Sequence, residues 1–216
     1  MDLDLEELIP QPASVKSDVL TLSFPNGCTV TLTVDSAVGC GGNYWPAGEV
    51  LATYLAHRGG LNGSKVLELG SGTGLVGLVA AKLGAEVLIT DQLPLLNTME
   101  KNIRLNELSG SVTALELNWG GPLPDIPLSG VSLLLAADCV YFEPAFPLLV
   151  RTLEELCRPN TEVLFCYKKR RKADKRFFSF LKKKFTWTQV LDDPGREIYC
   201  RQNITLLRLK LKPRLE

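Results

Sequence analysis

The chain of 216 residues lacks the residue clusters that mark several functional classes. Its single histidine, His57, excludes a histidine-rich metal site, and its six cysteines are scattered without a Cys-x-x-Cys pair. We therefore expect no bound metal, and reduced thiols are typical of a cytosolic or nuclear compartment. Lys plus Arg and Asp plus Glu balance at 24 each, so net charge gives no argument for binding nucleic acid or a membrane surface.

Long hydrophobic runs and a targeting segment are also missing. No apolar stretch reaches the roughly 18–20 residues that a membrane helix needs. The N-terminus, Met1 to Pro10, is acidic, which is not typical of a signal or transit peptide. Residues 1–17 are predicted to form a flexible acidic lead-in, and residues 18–216 a single domain.

Short apolar runs alternate with helical patterns and indicate an α/β protein. Alternating residues on both sides of Pro25-Asn26-Gly27 predict an N-terminal β-hairpin. Seven later runs are predicted strands: Val66–Leu69, Glu86–Asp91, Val112–Trp119, Val131–Ala137, Glu162–Tyr167, Phe185–Leu191 and Ile204–Leu211. We expect a Rossmann-like, seven-stranded, mostly parallel sheet with helices on both faces. Residues 18–62 then hold the hairpin extension and a helix, and residues 63–216 the Rossmann-like core.

The segment Lys65 to Gly77 is the strongest indication of a ligand site. It begins as a buried strand, breaks into glycines at every second position, and resumes as an apolar helix from Leu75. Ligands of doubly wound sheets bind beyond the carboxyl ends of the strands, where glycine lets the backbone turn tightly and approach the ligand. A nucleotide-like cofactor is therefore expected here.

Two cofactors compete for this motif. Gly72-x-Gly74-x-x-Gly77 satisfies the dinucleotide fingerprint and keeps a nicotinamide-dependent oxidoreductase open. The phasing Gly70-x-Gly72-x-Gly74 after Glu68 instead suits S-adenosylmethionine, which carries two cationic groups and no phosphate. Asp91, at the end of the next strand, can accept hydrogen bonds from the ribose hydroxyls of either cofactor. The alternative is that both acids merely cap strand ends.

The chain resembles the seven-β-strand methyltransferases of the methyltransferase-like 21 group over about residues 18–211. The similar segments are Trp45-Pro-Ala-Gly48, Val66 to Gly77, Asn118-Trp119-Gly120 and Ala137-Asp138-Cys-Val-Tyr141. Within that group the chain is most similar to the fungal enzymes that methylate elongation factor 1-alpha. The resemblance implies an S-adenosylmethionine-dependent protein-lysine methyltransferase. A methyltransferase acting on RNA or a small molecule, and a cofactor-binding module without catalysis, stay open as alternatives. We further expect a cytoplasmic monomer with a protein substrate, no membrane and no direct nucleic-acid contact.

The resemblance also assigns the site. It implies that Trp45 covers the cofactor mouth, Asp91 holds the ribose, Trp119 lies against the adenine, and Ala137 lines the pocket floor. The full cofactor-binding set is Trp45, Glu68, Gly70, Ser71, Gly72, Asp91, Gln92, Trp119 and Ala137. Asp138 and Tyr141 are the expected catalytic residues.

Asp138 and Tyr141 follow the fourth predicted strand of the core, where a substrate lysine can reach them. A free lysine is protonated at neutral pH, with a pKa of about 10.4, so the site must lower that pKa. We expect Asp138 to orient the lysine amine and Tyr141 to form one wall of the channel that the lysine enters. The segment lacks the paired prolines typical of enzymes that methylate nucleobases or glutamine. The alternative is that Asp138 caps a helix and Tyr141 only packs.

The segment from Tyr167 to Lys184 is strongly basic and is predicted to be helical from Lys168. Phe177, Phe178 and Leu181 recur at helical spacing and should face the sheet. The basic side chains then form a solvated face, while contact with an acidic protein or with RNA remains open.

Overall fold

A computed structural model describes residues 18–35, 37, 39–125 and 130–213 of the chain. The predicted lead-in, residues 1–17, lies outside them. No helix in this described part is long and apolar enough to cross a membrane.

The described residues form a two-stranded hairpin and a seven-stranded sheet. The strands are β1 Asp18–Ser23, β2 Thr29–Val34, β3 Lys65–Leu69, β4 Glu86–Asp91, β5 Val112–Glu116, β6 Val131–Ala137, β7 Glu162–Lys168, β8 Phe185–Gln189 and β9 Ile204–Leu211. The α-helices are α1 Pro46–Arg58, α2 Leu75–Lys82, α3 Leu96–Leu105, α4 Phe146–Leu156, α5 Lys175–Leu181 and α6 Arg196–Arg201. The predicted α/β class and the N-terminal hairpin are confirmed.

The strand order of the large sheet is β5-β4-β3-β6-β7-β9-β8. Neighbours from β5 to β7 are parallel, and β9 runs antiparallel to both β7 and β8. The chain winds outward from β3 in one direction and from β6 in the other, so the strand order reverses between these two strands. A reversal of this kind leaves a crevice beyond the carboxyl ends of the two strands.

Apolar clusters cover both faces of the sheet. One cluster joins α1, α2 and α3 to the sheet and includes Leu51, Leu78 and Met99. The other joins α4 and α5 and includes Phe146 and Phe177. Because parallel strands are buried on both sides, β6 is apolar at every position except Ser132.

The hairpin is attached to the core by two asparagines, one in α3 and one directly after it. Asn102 accepts a hydrogen bond from the Thr33 N–H at 2.7 Å and donates to the Thr33 carbonyl at 3.1 Å. One helical turn later, Asn106 makes the same pair of bonds to Thr31 at 2.9 and 2.6 Å. The side-chain amides thus take the place of a neighbouring strand along β2. Asn102 also donates to the Thr73 carbonyl at 2.9 Å, which ties the hairpin to the glycine loop.

Several elements differ from the sequence predictions, including β8, which ends at Gln189 and not at Leu191. β5 ends at Glu116, not at Trp119, because its partner strand β4 ends at Asp91, which lies opposite Glu116. The predicted helix from Lys168 is confined to α5, since Lys168 still pairs with β9 and a short turn follows it. The connection between β8 and β9 contains α6, where the sequence analysis predicted no helix.

We expect Asn102→Ala to lower the free energy of unfolding by about 2–4 kcal/mol, because it leaves buried backbone groups of two segments without partners. Urea unfolding measures the change. Asn97→Ala, at an exposed position of the same helix, is the matched control and should change the value by less than about 0.5 kcal/mol. Equal stabilities of the two variants would contradict this role of Asn102.

Candidate functional site

A cleft of ≈ 550 Å³ lies at the reversal point of the sheet. This is within the range of pockets that bury small-molecule ligands. It brings together every residue that the sequence analysis assigned to a site: Trp45, Glu68, Gly70, Ser71, Gly72, Asp91, Gln92, Trp119, Ala137, Asp138 and Tyr141.

The glycine loop between β3 and α2 forms one wall of the cleft. Gly70 and Gly72 have φ values of 60° and 55°, in the left-handed region that favours glycine. A Cβ atom at Gly70 would lie 2.9 Å from the Trp119 ring, and one at Gly72 would lie 2.9 Å from the Gly41 carbonyl oxygen. Larger residues at either position would therefore displace a neighbour that also lines the cleft.

Asp91 holds this loop from the end of β4. One carboxylate oxygen accepts the Gly72 N–H at 2.8 Å, and the other accepts the Gln92 N–H at 2.7 Å. Burial raises the pKa of Asp91, while these two hydrogen bonds act in the opposite direction. An ionised carboxylate has about four acceptor positions, so two remain for a ligand.

Glu68 is buried at the end of β3, with 2% of its surface exposed. Its carboxylate accepts the Gly77 N–H of α2 at 2.8 Å. Burial raises the pKa of Glu68 from 4.5 to about 8, against the effect of that hydrogen bond. Ser71 fixes the neighbouring backbone, since its hydroxyl accepts the Thr90 N–H at 3.0 Å and donates to the Glu68 carbonyl at 3.3 Å.

Trp119 approaches the cleft from the loop after β5. Its indole is partly buried and packs against the apolar cluster formed with α4 and α5. The next residue, Gly120, donates its N–H to the Thr152 hydroxyl at 2.8 Å, which fixes the loop on α4. The ring thereby closes over Gly70 at the same edge of the sheet as Ala137.

Asp138, directly after β6, has a carboxylate that joins three segments. One oxygen accepts the Ala47 N–H at the start of α1, at 3.0 Å. The other accepts the Lys168 N–H at 3.1 Å and the Arg170 guanidinium at 2.9 Å. Asp138 therefore does not begin the helix that follows it in sequence, as the helix-cap alternative required. It lies against the first turn of a different helix, α1.

Arg170 is the cleft residue that the sequence analysis assigned only to a solvated basic face. Its guanidinium carbon lies 5.3 Å from the centre of the Trp45 ring, and Trp45 in turn donates its indole N–H to the Cys40 carbonyl at 2.9 Å. Its position just after β7 could have indicated that Arg170 reaches the cleft, because the carboxyl ends of the parallel neighbours β6 and β7 meet at one edge of the sheet. The charge run around it concealed that signal.

Tyr141 completes the mouth of the cleft beside Asp138. Its backbone carbonyl accepts a hydrogen bond from the Arg171 guanidinium, which fixes the segment after β6. Burial raises the pKa of the Tyr141 phenol well above its ordinary value, so the hydroxyl keeps its proton at neutral pH. The described residues contain no group of three acidic, cysteine or histidine side chains that could hold a metal ion.

Comparisons with known proteins agree on one family. A family model described as lysine methyltransferase matches residues 26–184. Saccharomyces cerevisiae protein-lysine N-methyltransferase EFM6 is 41% identical, over 79% of this chain and 81% of that protein. Danio rerio protein N-lysine methyltransferase METTL21A is 42% identical, over 72% and 73%. Mus musculus EEF1A lysine methyltransferase 3 is 36% identical, over 66% and 62%.

A solved structure has the same fold. It is the Thermus thermophilus 16S rRNA N2 G1207 methyltransferase RsmC, solved in complex with AdoMet and guanosine, with a TM-score of 0.64 and 20% identity. The match covers 94% of this chain and 52% of that one. The chain thus spans about half the length of this neighbour, and the likeness supports the Rossmann-like fold alone.

The buried Glu68 predicts a pH-dependent stability. In the unfolded chain it ionises near its ordinary pKa of 4.5, whereas in the folded chain it keeps its proton up to about 8. The stability that this residue contributes is therefore fully present below the lower value and is lost as the pH rises towards the higher one.

We expect Glu68→Gln, which cannot ionise, to gain stability relative to the native chain as the pH rises across this interval. Urea unfolding at several pH values measures the difference. Glu86→Gln, at an exposed position at the start of β4, is the control. Its free energy of unfolding should change with pH in the same way as that of the native chain. Parallel curves for Glu68→Gln as well would show that the folded chain holds Glu68 ionised.

Proposed function

The chain belongs to the lysine methyltransferase family and uses S-adenosylmethionine, and on that premise we propose that it methylates a lysine of elongation factor 1A in the cytoplasm. The observation that supports this proposal is the continuity of the cleft. The glycine loop and the Asp138–Tyr141 segment line one cavity of ≈ 550 Å³. A cofactor on the loop and a lysine at the mouth would therefore meet inside it.

The residues of the cleft suit the cofactor. Asp91 has two free acceptor positions for the ribose hydroxyls. Gly70 and Gly72 allow close approach, Ser71 and Gln92 continue the same wall, and Trp119 offers an aromatic face for the purine. Glu68 lies behind the loop and holds the start of α2 through the Gly77 N–H. When bound, S-adenosylmethionine supplies a methyl group on a positively charged sulfur.

The same cleft is also lined by Ala137, Trp45, Asp138 and Tyr141, which we assign to the substrate side. We assign Ala137 to the floor and Trp45 to the wall, where both exclude water from the reacting groups. The neutral Tyr141 hydroxyl can accept a hydrogen bond from the lysine amine. Asp138 retains about one acceptor position, which is enough to orient that amine.

The identity of the substrate rests on the relatives. One relative is named for methylating EEF1A, which supports elongation factor 1A as the target. The family assignment rules out the alternative of a nicotinamide-dependent oxidoreductase. An RNA substrate is disfavoured because several basic side chains of residues 168–184 are paired with acids, including Arg170 with Asp138 and Arg176 with Glu143. A monomer without direct nucleic-acid contact remains the expectation.

The first test supplies labelled S-adenosylmethionine and recombinant elongation factor 1A that carries no methyl groups. We expect label on a lysine of that protein, located by mass spectrometry. Tyr141→Phe should lower kcat by at least about tenfold, because positioned polar groups contribute factors of this order. Tyr199→Phe, away from the residues that line the cleft, should keep native activity. Label in RNA, or full activity of Tyr141→Phe, would overturn the proposal.

The second test concerns the cofactor. Asp91→Asn should weaken S-adenosylmethionine binding by at least about tenfold, since it removes a charged acceptor of hydrogen bonds and loosens Gly72. Calorimetry measures the Kd. Glu116 lies opposite Asp91 on the adjacent strand and is exposed, so Glu116→Gln is the matched control and should bind like the native chain. Equal affinities of the two variants would remove Asp91 from the cofactor site.

A further inference from the structure

Asp138 is almost fully occupied by donors from its own chain. Of the roughly four acceptor positions of a carboxylate, three are used by the Ala47 N–H, the Lys168 N–H and the Arg170 guanidinium. The Arg170–Asp138 ion pair is 2.9 Å long, and the two side chains are 17% and 5% exposed. A pair this well buried is little screened by solvent.

A carboxylate without this partner would work against methyl transfer. An opposite charge within about 4–6 Å moves a pKa by about 1–3 pH units in favour of the charged form. An unpaired Asp138 would thus hold the substrate lysine as an ammonium, which has no lone pair to donate. The proton of that ammonium must leave to water before the amine can react.

The other charges of the cleft do not replace Arg170. Among the described residues that line the cleft, it is the one lysine, arginine or histidine. The titratable groups that face the same space are Cys40 and Tyr44 before α1, Glu68 and Asp91 on β3 and β4, and Cys139 and Tyr141 after β6. Each of these side chains carries either no charge or a negative charge, so none of them can offset the charge of Asp138.

We propose that Arg170 is a positioning residue that neutralises Asp138, so that the carboxylate orients the substrate lysine without stabilising its protonated form. This inference rests on the proposed lysine methylation. The Trp45 ring, with its centre 5.3 Å from the guanidinium carbon, also contacts Arg170. The arrangement gives the amine a hydrogen-bond acceptor with little net negative charge.

The test compares the pH dependence of kcat for the native chain, Arg170→Gln and Arg170→Lys, with the protein that the native chain methylates. In Arg170→Gln the ascending limb of the profile should move by about one pH unit or more to higher pH. At about pH 7 its kcat should fall about tenfold, and most of the loss should be recovered near pH 9.5. Arg170→Lys keeps the charge and should keep the position of the native profile.

Two further measurements separate this role from a structural one. Asp138→Asn should move the ascending limb to lower pH, because it leaves the Arg170 charge unpaired beside the amine. Asp138→Asn/Arg170→Gln should return the limb towards its native position, because the two changes together leave no net charge. Without catalysis, Arg170→Gln loaded with S-adenosylhomocysteine should bind the same substrate protein more tightly than the native chain does at about pH 7. The cofactor affinity of Arg170→Gln should stay within about threefold, as calorimetry can show, since Arg170 acts on the lysine.

The outcomes distinguish the two proposals. If the native chain methylates no lysine, the proposed function and this inference both fall. If the native chain is active but Arg170→Gln loses the same factor of kcat at every pH, the inference alone is refuted. A raised KM with unchanged kcat would also refute it, because Arg170 would then contact the substrate directly. If Arg170→Gln does not fold, a profile of Arg170→Lys shifted from that of the native chain would refute the neutralising role.

Discussion

Three carboxyl groups at the ends of neighbouring strands hold the cleft in shape; two of them are buried and that of Asp91 is partly buried. Glu68, Asp91 and Asp138 follow or end β3, β4 and β6, and each accepts a backbone N–H from a segment that is distant in the chain. The acids thereby fix α2, the glycine loop and α1 around one cavity. Removing any one of them would leave a buried N–H without a partner and release one wall. The fold and the binding site depend on the same few bonds.

The fold could be predicted from local pattern because parallel strands are short, apolar and bounded by glycine or acids. The glycine spacing from Gly70 and the acids at the ends of strands also indicated the cofactor side of the cleft, since these features are encoded within a few consecutive residues. Strand ends were harder. The end of β5 is set by where β4 stops, which is a property of the partner strand and not of residues 117–119.

The other differences have the same physical origin in contacts between distant residues. Arg170 is one of several basic residues in sequence, and only the adjacency of β6 and β7 gives it Asp138 as a partner. The role of Asn102 depends on β2, whose Thr33 lies 69 positions away in the chain. A polar residue in a helix has no sequence pattern that reveals such a bond. Arg170 and Asn102, whose roles depend on partners far away in the chain, were therefore missed, while the acids at strand ends and the glycine motif were predicted.

The bonds of Asn102 have a consequence for dividing this protein into parts. The Asn102 side chain forms hydrogen bonds with both β2 and the glycine loop, through Thr33 and Thr73. The hairpin is therefore part of the scaffold that shapes the cofactor loop, although it pairs with no strand of the large sheet. A minimal fragment designed around the seven-stranded sheet alone would keep every glycine of the motif. It would lose the hydrogen bonds between Asn102 and β2 that help to fix the loop. Any engineered boundary has to fall before β2.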